Sequence, residues 1–326
     1  MHYLLLAMCC SALISIMMRF GETRIKNNIS TLAVNYVVCL VLGLFYAVRA
    51  GGTGSIIVPG ADGRQTLLMG LLNGVFYVGS FILLQYNISK NGVVLPSTFM
   101  KLGVLVPTMI AIVAFGERPG VMQVAGIAIA VAAIIFMNAG EAIAAKKGGS
   151  GADAAGTAGA MGDAGTARAM GDARGNAEVE HAAEKPASTV TAPKALIFLL
   201  LVGGSGDAMS KIYEELGNPK YNSQFLLYTF AMALVLCTLT AVLKGQKLTR
   251  EDVLFGCLIG IPNYYSARFL LMSLSYVPAV IAYPTYSTGT IVLVGIAGVL
   301  FFREKMTSRQ WVTVGMIAAA LLMLNM

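Results

Sequence analysis

"FGERPGVMQVAG", residues 115–126, returns in altered form as "FFREKMTSRQWVTVG", residues 301–315. Glu117 and Gln123 in the first copy match Glu304 and Gln310 in the second at one offset. The stretches upstream are related as well. "GLLN" (70–73) parallels "GIPN" (260–263), "AMCCSA" (7–12) parallels "LVGGSG" (201–206), and Pro96 and Pro284 correspond within two residues. The chain reads as two halves of common origin.

The medium is set by composition. The 326 residues are 57% hydrophobic and 12% charged, with mean hydropathy +0.74, a balance that suits a bilayer and excludes an ordinary water-soluble domain. A spanning helix takes about 20 apolar residues. Segmenting on that length gives ten: 3–20, 29–49, 65–87, 92–115, 120–139, 194–214, 222–243, 251–275, 278–301 and 308–325. Between the fifth and sixth, residues 140–193 are rich in Ala and Gly and repeat a nine-residue unit ("GADAAGTAG", "AMGDAGTAR", "AMGDARGNA"). Their five basic and seven acidic residues nearly cancel, and no aromatic residue is present, so they are expected to form a disordered linker. The expected division is 1–139, linker 140–193, and 194–326.

An odd number of spans in each half sends the two copies through the membrane in opposite directions, the inverted arrangement of many secondary transporters. The chain resembles the ten-span drug/metabolite transporter (DMT) superfamily, specifically proteins built from two EamA repeats. The carrying motif is G-E-R-x-x-x-x-Q-x-x-G at 116–126, followed by an Ala- and Gly-rich span. In the second copy Arg303 replaces the Gly before Glu304, and Gly315 falls two places late. The resemblance implies an all-α membrane fold of ten transmembrane helices in two inverted five-helix repeats. It also implies secondary active transport of a small organic metabolite or drug-like solute, by alternating access, with proton coupling or exchange and without ATP hydrolysis.

Polar residues inside apolar runs mark candidate sites, because a charge at mid-bilayer costs about 2.5–3.5 kcal/mol on insertion scales. Lys101, in "PSTFMKLGVLVP" (96–107), lies about ten residues from each end of its span and is expected to face a polar cavity. Arg268 follows Asn263, Tyr264 and Tyr265 in the eighth span; facing inward with Lys101, it would favour an anionic or zwitterionic solute. Asn73, Tyr77, Tyr283 and Tyr286 complete the expected cavity wall. Asp207 and Lys211, four apart, are expected to pair across a helical turn or to serve in coupling. Helices softened at "LPSTF" (95–99) and "YPTYSTGT" (283–290) point to a site at the repeat interface, with helix packing by small residues as the alternative. Glu117 and Glu304, with Gln123 and Gln310, are expected to cap and pair locally at short turns, or to gate opposite mouths.

Other classes fit less well. "GGSG" (203–206) offers Ser205 as an intramembrane hydrolase nucleophile, but His2 and His181 both lie outside the spans, leaving no imidazole base. A receptor or scaffold is the remaining alternative. Cys9, Cys10, Cys39, Cys237 and Cys257 lie in apolar runs without metal-type spacing, and no phosphate loop occurs, so no metal, cofactor or disulfide is expected. The +7 charge is spread over short loops, which gives no reason to expect nucleic-acid binding. Expected partners are a small-molecule substrate and the lipid of a plasma membrane, with the chain a monomer or homodimer. Ten Lys and Arg residues flank the ends after spans 1, 3, 7 and 9 against four on the other side, which places the linker in the cytoplasm and both termini outside. The family resemblance implies termini inside, and sidedness stays open between the two.

Overall fold

The computed structural model describes residues 1–21, 24–25, 27–51, 56, 58–91, 94–147, 193–302 and 308–324. Among them no strand occurs. The helices are α1 (His2–Gly21), α2 (Asn28–Gly51), α3 (Gly60–Asn91), α4 (Val94–Leu102), α5 (Leu105–Val113), α6 (Val121–Lys147), α7 (Pro193–Leu216), α8 (Asn222–Leu243), α9 (Arg250–Leu274), α10 (Ala279–Phe302) and α11 (Ser308–Leu324), with a 3-10 turn at Pro219–Tyr221. Seven helical stretches are long and apolar enough to cross a bilayer, and Val121–Phe136 and Trp311–Leu324 are shorter apolar helices. The expected eighth span, α9, is not among either group. It carries Glu251, Asp252, Asn263 and Arg268, polar residues that dilute its hydropathy.

Two boundaries differ from expectation. The fourth span is two helices, α4 and α5, instead of one run from 92 to 115. Pro107 has no N–H to give the carbonyl of Gly103 and its ring crowds that turn. Gly103 O instead accepts from Val106 N at 2.9 Å, and Gly103 N donates to Met100 O at 3.1 Å, both three-residue turns. α10 carries Pro284 inside an unbroken helix. The second difference is at α6, which continues to Lys147, so 140–147 of the expected linker are helical; residues 148–192 and Glu304 lie outside the described residues.

Helix pairing repeats between the halves. α1 packs on α9 as α7 packs on α3; α2 packs on α9 as α8 packs on α3; α2 meets α8, and α6 meets α11. Glycines allow the close approaches. A methyl group on Gly260 would lie 2.9 Å from Asn35 O on α2, and one on Gly70 would lie 2.9 Å from Phe225 O on α8. The main core joins Tyr36, Phe81, Tyr213, Phe225, Phe230 and Tyr264, with Tyr213 stacked on Phe225 at 4.1 Å.

The bundle has two ends. At the linker end, Asn87 Nδ2 donates to Ala195 O, and Asp252 accepts from Asn27 N and Thr31 Oγ1. At the far end, Gln65 Nε2 donates to Leu216 O and Asn218 Nδ2 to Asp62.

Candidate functional site

α2 places Asn28, Thr31 and Asn35 at spacings of three and four, which brings them to one helix face. That face borders a central cavity of about 980 Å³, open mouth included. Its wall runs from Tyr286 and Leu270, mid-bundle, to Asn28 and Ile25 at the linker end. Both halves contribute to it. Asn263 Nδ2 on α9 donates to Asn35 Oδ1 at 3.2 Å, so two carboxamides from opposite halves meet in the wall. Ser266 Oγ bonds Tyr286 Oη at 2.9 Å, and Phe76 and Tyr77 supply aromatic faces. Asn28, Thr31, Asn35, Ser80, Ser210 and Ser266 were not among the expected site residues. For the first three, their polar spacing along α2 is the signal that would have found them.

Beside the cavity lies a smaller chamber of about 350 Å³, open mouth included, which shares Gly203, Asp207 and Tyr286 with it. Lys101 lines this chamber, 5% exposed, in the last turn of α4, where the helix dipole favours a cation. Asp207 lines both spaces at 7% exposure. Tyr283 Oη donates to the Asp207 carbonyl at 2.6 Å, and Ser287 Oγ is buried without a hydrogen-bond partner. Lys101, Asp207, Tyr283 and Tyr286 thus share one chamber, with Lys101 bordering it and not the main cavity.

Four expectations need correction. Arg268 turns away from the cavity: its guanidinium stacks on Tyr46 at 4.0 Å and donates to Ser223 Oγ at 3.1 Å and Tyr264 Oη at 3.5 Å. Tyr264 is buried in the aromatic core and does not line the cavity. Asn73 sits behind the wall, donating to Thr229 Oγ1 at 3.4 Å with its own Oδ1 unpartnered. Nor does Lys211 pair with Asp207. It lies at the far end between Glu117 at 2.9 Å, Glu214 at 3.1 Å and Glu215, with the Phe115 ring 5.7 Å away. Ser205 Oγ donates to Leu201 O at 2.7 Å, a bond within its own helix.

The first-half motif acquires a physical account residue by residue. Gly116 takes φ +69°, a left-handed turn that ends α5 and returns the chain toward α10. Glu117 then accepts from Ala279 N at 3.1 Å and Val280 N at 3.0 Å, satisfying exposed donors at the start of α10 while holding Lys211 of α7. Partial burial pushes its carboxyl upward, but the Val280 N–H, the Lys211 ammonium and the Ala279 N–H outweigh that and hold it below the ordinary glutamate value. Gln123 Oε1 accepts from Gly120 N at 3.0 Å and caps α6. Gly126 faces α11, where a methyl group would lie 3.0 Å from Leu324 and 3.1 Å from Ala320 O. Gln310 lies in α11.

The profile of the EamA-like transporter family matches residues 1–139 and 194–326. The chain belongs to the EamA-like transporter family. It is accordingly a multi-pass membrane protein of a transporter family within the DMT superfamily. One crystal structure is similar to it over 99% of this chain and 96% of that chain, with TM-score 0.63 and 14% identity, a likeness of fold. No curated protein matches.

Proposed function

We propose that this EamA protein is a secondary active transporter that carries a small organic solute across the plasma membrane by alternating access, with proton coupling or exchange. The observation that carries the reading is the central cavity, walled by Asn35 and Tyr77 from one matched half and by Asp207, Asn263 and Tyr286 from the other. Ligands of such transporters bind near the bilayer midplane between repeats. We read the chain as ten spans in two inverted repeats, 1–139 and 194–326, joined by the linker. The repeated pairing of helices supports this, as does the start of α1 and α7 at opposite ends of the bundle. The cavity wall reaches toward the linker end and the far end is closed by charged and aromatic contacts, so the described conformation faces the linker side. Asp207 and Lys101, from different halves, are the coupling candidates.

Purified protein is to be screened by thermal stabilisation against amino acids, organic acids, nucleosides and cationic drugs, followed by flux of the stabilising solutes into liposomes. A ligand raises the midpoint by mass action. Flux lost in Asn263→Ala is the expected result. Stabilisation without flux, or a change in product mass, would favour a receptor or an enzyme.

A further inference from the structure

The described helices carry few charges away from their ends, and their partners decide what the cavity presents to a solute. Lys211 is surrounded by three carboxylates. Arg268 is held by Tyr46, Ser223 and Tyr264. Asp252 accepts from Asn27 N, Thr31 Oγ1 and Thr249 N at the linker end. Lys101 and Asp207, opposite in sign, line one chamber together. Their formal charges sum to zero where that chamber adjoins the cavity.

The rest of the cavity wall is neutral and hydrogen-bonding. Asn35 and Asn263 spend one donor and one acceptor on each other, leaving the Asn263 carbonyl and the Asn35 amino group. Thr31, Ser80 and Ser266 add hydroxyls, and Ser287 Oγ adds an unpartnered one in the chamber. Tyr36, Phe76, Tyr77 and Tyr286 form an aromatic lining. An ion entering here would shed water without meeting net countercharge, and desolvating an ion costs several kcal/mol. A neutral amide or hydroxyl group on an apolar or aromatic body meets matched partners instead.

We propose that the cavity selects solutes of zero net charge that bear a hydrogen-bonding group on an aromatic or apolar body, with the Lys101–Asp207 combination setting that neutrality. This rests on the transport reading only for the word solute. Of the anionic or zwitterionic solute that Lys101 and Arg268 together suggested, it drops the anionic alternative, because Arg268 turns away.

The test uses one scaffold in three charge states: 2-phenylacetamide, 2-phenylethylammonium and phenylacetate, each scored for binding to the full chain in detergent and for flux into liposomes. Wild type is expected to bind the amide at least tenfold more tightly than either ion. Asp207→Asn leaves Lys101 in excess and shifts the ranking toward phenylacetate by tenfold or more. Lys101→Met shifts it equally toward the ammonium. The double variant, neutral again and without a lone buried charge, returns to the wild-type order. A wild type that prefers an ion, fails to bind the amide, or keeps its ranking in both single variants overturns the proposal. Amide binding in the expected order with no flux would sink the transport reading and leave the neutral site standing; flux that favours an ion does the reverse.

Discussion

At the far end of the bundle Lys211 joins α7 to the loop after α5 through Glu117, and Glu117 in turn holds the first N–H groups of α10. At the linker end, the position matched to Lys211 by "AMCCSA" against "LVGGSG" is Met17, and those matched to Glu214 and Glu215 are Phe20 and Gly21. Met17 packs on a cluster of Ile14, Met18, Ile25, Phe255 and Ile259. One end is therefore held shut by charge, while the matched place at the other is an apolar cluster that borders the mouth of the cavity. The difference bears on how each opens. If Glu117 departs, Glu214 and Glu215 on the same helix still compensate Lys211, so the ionic end can part without stranding a buried cation. The matched linker-end position has no charge to exchange; closing that side would bring its apolar side chains together and bury hydrophobic surface.

The most direct way to break the contrast is Lys211→Met, which writes the linker-end residue into the far end. Three carboxylates are then left facing each other, and a loss on the order of 3 kcal/mol is expected, read as a lower unfolding midpoint. In a background without native cysteines, a cysteine at Ser210 should also label faster from the far side. Gly204→Ala tests a different element. Its methyl group would collide with Gly103 O and lie 2.6 Å from Val106 Cβ, forcing α7 off the broken span, with about 1–3 kcal/mol lost. Glu117→Gln keeps the shape of the staple and removes its charge, for a loss of about 1–2 kcal/mol.

The same glutamate gives a pH signature. Because its folded pKa is depressed, its contribution is present above the ordinary glutamate value and is lost as pH falls through the lower folded value. Wild type should therefore lose stability in acid over a range that Glu117→Gln does not share, as followed by the unfolding midpoint between pH 6 and 3. The smallest effect is expected for Tyr46→Leu, which removes the ring under Arg268 and costs about 1 kcal/mol.

What the sequence could supply depended on how local each cause was. The helical runs, the first copy of the repeated motif and the lysine set inside the apolar run at Lys101 are local, and each has its place in the fold with small changes of boundary. The interruption at Gly103 was readable in principle from Pro107 four residues on, yet Pro284 sits in an unbroken helix, so proline alone does not decide the matter. Arg268 was misplaced because its direction is set by Tyr46 and Ser223 on two other helices. Lys211 likewise has two carboxylates within four residues and a third, Glu117, 94 positions earlier in the chain, a partner that no local pattern announces.

The interrupted fourth span also bears on biogenesis. α4 and α5 have nine residues each, about 14 Å apiece at 1.5 Å per residue, under half of a hydrocarbon core of about 30 Å. Neither piece crosses alone, and the Gly103 carbonyl between them is roofed by Gly204 of α7. The ribosome has thus to synthesise the whole intervening tract before the cover for that junction exists. Until α7 arrives α1–α6 wait unfinished, and a chain cut after Lys147 should be an early target for membrane proteolysis rather than a stable half.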